Sequence, residues 1–455
     1  MELIKCIDFM RKKTLGETIR DAPEEKHLLA RWSQQGNWCV LGVCLLALSP
    51  YAFGESEGFL TRQGVRVFPI GFYELPADDA GLKAMADAGV TMAHCHSRAD
   101  LDRVQSVGML GVFPLGLQEG ASDKLKARVK SVADHPALAA WEGPDEVVWN
   151  FTAYSGLFAS MKVHSVKDAW WKQTPEAVAY AEKQSAEVLP KMREAAAFIR
   201  SQDKLKRPLW INEAQKSDLG YVRQYLDYVD ITGCDIYPVR DLKRPIANVG
   251  GAADRWVQVG KGKPVWMVLQ AFSWHELREG NVRKNPAYPT FAESEFMAFD
   301  SIAHGARGVL YWGSSYTKNV PFRESLFAVT RELALLQPFL VAPDVREARL
   351  SVVELPFEQP STNVRMIVRK AQSEYLIVLL NEDDQAHMGV VVDGLPELNG
   401  RLLYRLYENE TATVTHGEFV ARLLPSEVRV YCTDRKYEAA NRQGRDFGDG
   451  TKPLH

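Results

Sequence analysis

Eight times between Val65 and Leu335 a short apolar run gives way to a stretch with helical spacing, and this alternation restricts the fold more than any other property. The runs are Val65–Tyr73, Val90–His94, Gly108–Leu115, 137–142, Arg207–Asn212, Asp230–Tyr237, Pro264–Phe272 and Gly308–Trp312. Between them, residues 78–88, 125–133, 175–200, 292–304 and 322–335 carry helical periodicity, with Gly89 and Gly305 as stops. Buried strands alternating with helices over roughly 270 residues predict an α/β fold, a (β/α)8 TIM barrel over residues 64–342. From residue 345 to 432 the period shifts to two, which predicts a small C-terminal antiparallel β-sandwich domain. The polar, glycine-containing segment 433–455 reads as a mobile tail.

In a barrel of this kind the chemistry sits at the C-terminal ends of the strands. The fourth run ends Trp141-Glu142-Gly143-Pro144-Asp145-Glu146, an apolar strand stopped by a break and adjacent carboxylates. Glu146 suits a proton donor if apolar neighbours such as Trp141 raise its pKa; the plainer alternative has Asp145 capping a following helix and Glu146 in its first turn. Other strand ends add Tyr73, Glu213, Asp235 with Tyr237, Gln270 with Trp274, and Trp312. The loop after the fourth strand, 147–173, is rich in aromatics, Trp149 among them, and is expected to form the rim. Aromatic faces suit the C–H faces of pyranose rings, while carboxylates and amides bind hydroxyls, so the set reads as a saccharide pocket. His94 and His96 are read as hydrogen-bonding groups of the same pocket.

With these residues the barrel resembles the glycoside hydrolases of clan A. The resemblance is carried by FPIGFYELP (68–76), HPALAAWEGPDE (135–146), GCDIYPV (233–239) and GARGVLYWG (305–313), with LLPSEVRVY (423–431) in the trailing β domain. It implies a carbohydrate substrate, no cofactor, and Glu146 as acid/base; the usual preceding Asn is Asp145 here. The strand-seven nucleophile of that clan corresponds to Gln270. Three completions stay open: Asp235 or Glu213 activating water in an inverting mechanism; a carboxylate of the next loop, Glu276 or Glu279; or substrate assistance, since Asp145-Glu146 resembles the pair in N-acetylhexosaminidases. Glu146 with a carboxylate from strand five or six is preferred.

Two other classes compete with this reading. The missing strand-seven Glu favours a non-catalytic carbohydrate-binding barrel. His94-Cys95-His96 resembles the opening signature of metal-dependent amidohydrolases, but strands five, six and eight supply none of the further ligands. The six cysteines show no zinc-ligand spacing, so no metal is expected. A net charge of −3 with 25% charged residues gives no nucleic-acid footprint. Near the start, a polar segment (1–35) that includes the basic Arg31 is followed by a segment (36–54) with an apolar run, Trp38–Leu48, and then the small residues Ala52 and Gly54. That order predicts a signal peptide, export to the periplasm or exterior, and no stable membrane insertion once cleaved.

Overall fold

The computed structural model describes residues 57–156, 163–277, 286–354 and 363–448. The N-terminal segments 1–35 and 36–54, and Glu279, lie outside these. Among the described residues no helix is long and apolar enough to cross a membrane.

Eight parallel strands form a closed barrel: β1 (Ile70–Phe72), β2 (Met92–His94), β3 (Leu110–Pro114), β4 (Leu138–Glu142), β5 (Leu209–Ala214), β6 (Ile231–Asp235), β7 (Val265–Gln270) and β8 (Ala306–Trp312), with β8 pairing β1. Helices flank the strands, several started by side-chain caps: Ser97 and Thr290 each form a reciprocal capping box, with Asp100 and Glu293. Inside, Met92, Val112, Ala140, Trp210, Ile231, Trp266, Val268 and Leu310 fill the axis. The Trp210 and Trp266 rings lie 5.2 Å apart. Gly308 leaves room for this pair, because a Cβ there would stand 2.6 Å from the Trp266 ring.

The first expected strand proves to be two elements. Val65–Val67 turns back in antiparallel pairing onto Leu60–Arg62, and β1 starts only after Pro69, which has no N–H for a ladder. This hairpin closes the base of the barrel: Leu60 and Val67 join the interior cluster, and the Trp266 indole donates to the Gly58 carbonyl at 2.8 Å.

The C-terminal domain is a sandwich of a three-stranded sheet, β9 (Arg349–Glu354), β12 (Met388–Asp393) and β15 (Phe419–Leu423), and a five-stranded one, β10 (Val364–Ala371), β11 (Glu374–Asn381), β13 (Leu402–Arg405), β14 (Thr411–Thr413) and β16 (Val428–Cys432). β11 explains why its sequence is apolar without alternation. Ile377 and Leu379 face the sandwich core, whereas Leu376, Val378 and Leu380 belong to the barrel's core. A strand covered on both faces has no polar side.

The expected mobile tail is corrected over its described part. Residues 433–448 lie on the barrel, held by Arg445, whose guanidinium contacts Glu332 at 2.5 Å and Glu295 at 3.1 Å and lies 3.5 Å from the Tyr407 ring centre. Phe447 packs on Phe322. Polar composition concealed a buried ion network. Arg445→Ala strands two buried carboxylates, so a loss of about 3 kcal/mol in urea unfolding is expected. A loss below about 1 kcal/mol, the worth of a surface pair, would contradict this docking.

Candidate active site

Side chains alternate along a strand, so each strand has one inward residue at its C-terminal end. Two residues beyond the interior positions Gly71, Met92, Ala140, Trp210, Gly233, Val268 and Leu310 stand Tyr73, His94, Glu142, Asn212, Asp235, Gln270 and Trp312. Polar groups thus form the last layer above an apolar plug.

Glu146 sits just above this layer. The Gly143-Pro144 break ends β4, and the Glu146 amide donates to the Asn212 carbonyl of β5 at 3.0 Å. Its backbone is left-handed (φ 50°, ψ 39°) at the start of the helix Val147–Phe151, where its side chain caps nothing. A left-handed non-glycine residue costs about 1–2 kcal/mol, so the surrounding structure must hold it there. The carboxyl is a hydrogen-bond partner of Asp235, whose other neighbour is the Tyr237 hydroxyl. Asp145 points nearby and accepts from the Asn212 amide at 2.9 Å.

Asp145 is exposed and Glu146, Asp235 and Tyr237 are half-buried, yet surrounding protein desolvates all four. Groups both reachable by water and poorly hydrated lie in a recess. Desolvation, then the Asp145 charge, pushes Glu146 up to about 7, partly offset by the Asp235 hydrogen bond. Asp235 is raised well above the carboxylate range by desolvation and by the charges of Glu146 and Asp145. Asp145 is raised by desolvation and restrained by Asn212. The result is two carboxyls, Glu146 and Asp235, whose titrations are linked, with the Asp145 carboxyl close by.

Other expected site residues fall elsewhere. Glu213 is one position out of phase with Asn212 and faces outward. It is fully buried and accepts from the Val148 and Trp149 amides, Ser217 and Tyr225, so it holds the β4 loop in place. Gln270 is also committed, bonding to both the amide and carbonyl of Val239 at 3.0 Å. Glu276 bonds to Tyr288. Trp141 faces away from Glu146, with its indole on Asp203 at 2.8 Å, so it does not supply the apolar wall expected of it.

His94 is buried 3.1 Å from Glu142, while His96 is exposed. Burial pushes His94 down to about 3, and burial followed by the charge of Asp145 pushes Glu142 well above the usual carboxylate range. Among the described residues neither histidine belongs to a three-residue ligand cluster. Tyr73 lies against His94, their ring centres 4.0 Å apart. Tyr237 stacks on Trp312 at 5.5 Å and 25°, forming one wall with half-exposed Trp312. Trp274 donates to the Tyr237 carbonyl, but Arg240 covers one of its faces at 3.6 Å. Trp149 stands beside the exposed Trp171, 6.2 Å between ring centres. Glu142 and Asn212 were missed as site residues; the alternation from Ala140 and Trp210 was the signal.

No family model matches the sequence, and no curated protein is detectably similar to it. Solved structures do match. A β-galactosidase from Bacillus circulans sp. alkalophilus superposes over 80% of this chain and 99% of its own, with a TM-score of 0.51 at 9% identity. The fold is shared with glycoside hydrolases. A GH30 endoxylanase from Clostridium papyrosolvens C71 covers 83% of this chain and 98% of its own at TM-score 0.45 and 14% identity. The chain spans 60% of a β-galactosidase from the psychrophilic Marinomonas ef1, which covers 59% of it, at TM-score 0.40 and 13% identity. At such identities the likeness is one of architecture.

Glu213→Gln replaces an acceptor with a donor under two backbone amides. It is expected to lower the unfolding free energy by about 1–3 kcal/mol. Unchanged stability in denaturant would remove Glu213 from its holding role.

Proposed function

We propose that the chain is a glycoside hydrolase acting on oligo- or polysaccharides, with Glu146 as proton donor. The observation that carries this reading is the placement of the desolvated Glu146 carboxyl, pushed up to about 7, at the strand ends beside Asp145, Asp235 and the Tyr237–Trp312 wall. Glu146 gives its proton to the glycosidic oxygen as the C–O bond breaks. Asp145 supplies negative charge to the developing cation or orients a substrate acetamido group. Asp235 keeps its proton and donates a hydrogen bond to the Glu146 carboxylate just formed. Water then completes hydrolysis, returning a proton to Glu146.

Hydrogen-bond contact between Glu146 and Asp235 argues against Asp235 as the distant base of an inverting pair, which needs roughly 6.5–9.5 Å. The occupied Gln270 and Glu213 favour the β4 pair over a nucleophile on β5 or β7. Export is part of the same reading, resting on the order of residues 31–54.

Glu146→Gln is expected to lower kcat/KM at least about 100-fold on whichever glycoside wild type cleaves, with binding retained. Glycan binding without hydrolysis by wild type would instead support a binding barrel, as the glutamine at the end of β7 suggests. The pH profile follows from the two groups. The acid form of Glu146 dominates below about 7, so kcat/KM falls as pH rises through that value. It falls again on the acid side as Asp145 takes up a proton. A rate rising steadily above pH ~7 would contradict the assignment of the acid.

A further inference from the structure

We propose that Asp300, His304 and Glu382 bind one divalent transition-metal ion of the zinc class at the seam between the barrel and the β-sandwich. Asp300 and His304 lie one turn apart at the end of the helix Phe291–Ala303, and Glu382 directly follows β11. One ligand atom from each lies within 4.8 Å of the others.

Three independent features point inward to an ion. First, the Asp254 carboxylate stands 3.0 Å from His304 Nδ1, fixing the proton there. Nε2 is left facing Asp300 Oδ1 at 3.6 Å and Glu382 Oε1 at 2.5 Å. A carboxylate on the far nitrogen is the usual support of a metal-binding imidazole. Second, Asp300 is fully buried; Oδ2 accepts from the Gly250 amide at 2.6 Å, but Oδ1 has no hydrogen-bond donor. Third, the space beside it tolerates only glycine. A Cβ on Gly250 would come 2.5 Å from His304 Nε2 and 2.8 Å from Asp300 Oδ1.

Charge points the same way. Around His304 stand the carboxylates of Asp254, Asp300 and Glu382, with the guanidinium of Arg365 on Glu382 at 3.1 Å. A divalent ion is attracted to this cluster of carboxylates. One nitrogen and two carboxylate oxygens suit zinc or manganese better than calcium or magnesium, which take oxygen alone. Ligand bonds of about 2.0–2.2 Å place neighbouring ligand atoms roughly 3.3 Å apart. The Asp300–His304 separation is close to that, and Glu382, at the rim, withdraws slightly to reach it. Water completes the shell. The ion ties the helix to the sandwich and takes no part in the chemistry at Glu146.

The test uses the full chain, stripped with chelator and titrated with zinc chloride alone by calorimetry, alongside thermal melting. The expected result is one equivalent bound with a Kd on the order of micromolar or tighter, and a higher melting temperature with zinc than with chelator. Glu382→Gln should lose this uptake while melting as wild type does in chelator. Asp254→Asn, which leaves the three ligands intact, should weaken binding about 10–100-fold, and it decides the matter if Glu382→Gln does not fold. No uptake by wild type, or unchanged affinity in Glu382→Gln or in Asp254→Asn, overturns the site.

Discussion

A closed barrel has a single interior, and each strand reaches it with every second residue. Below the last layer those positions must be apolar or glycine, because nothing there can satisfy a charge; at the last layer the barrel opens and polarity becomes affordable. Trp210 and Trp266 fill the axis, and the hairpin at Leu60–Val67 shuts its base. The polar side chains that chemistry needs are therefore confined to one end. Glu142, Asn212 and Asp235 stand there because they are the next inward residues after Ala140, Trp210 and Gly233.

Crowding carboxyls above an apolar plug has an energetic consequence. Glu142, Asp145, Glu146 and Asp235 are all raised by desolvation, and the charge of Asp145 raises the other three further. Such an arrangement opposes stability, which the rest of the barrel supplies through its continuous core. The strained Glu146 backbone belongs to the same pattern. Glu213 makes it tenable: by binding the Val148 and Trp149 amides it fixes the loop immediately after Glu146.

Much of the fold was legible in the sequence because both of its periods are local. Eight strand–helix alternations and a later shift to period two define the barrel and sandwich without knowledge of any contact. The break at Phe68-Pro69 was harder to read, since Val65–Tyr73 is apolar apart from Arg66 and the missing proline N–H is the main mark of the turn. Phe419–Leu423 does alternate between buried and exposed, but in so short a run the pattern is easily passed over. In the site, proximity to a strand end drew attention to Glu213 and Gln270, whereas side-chain phase decides what Glu213 faces. No sequence rule signals that Arg445 would pair with Glu295 and Glu332, about 110 to 150 residues away, or that His304 would meet Glu382.

The central claim is physical and needs no substrate: Glu146 holds a proton near neutral pH because the recess desolvates it. Carbon-13 NMR of glutamate side-chain carboxyls, followed from pH 4 to 9 in wild type and in Glu146→Gln, tests it directly. The account predicts a resonance with a midpoint near 7 that vanishes in the variant. If the resonance lost on substitution instead titrates at the ordinary value of about 4.5, Glu146 is an ordinary surface carboxylate and the account of this site is wrong.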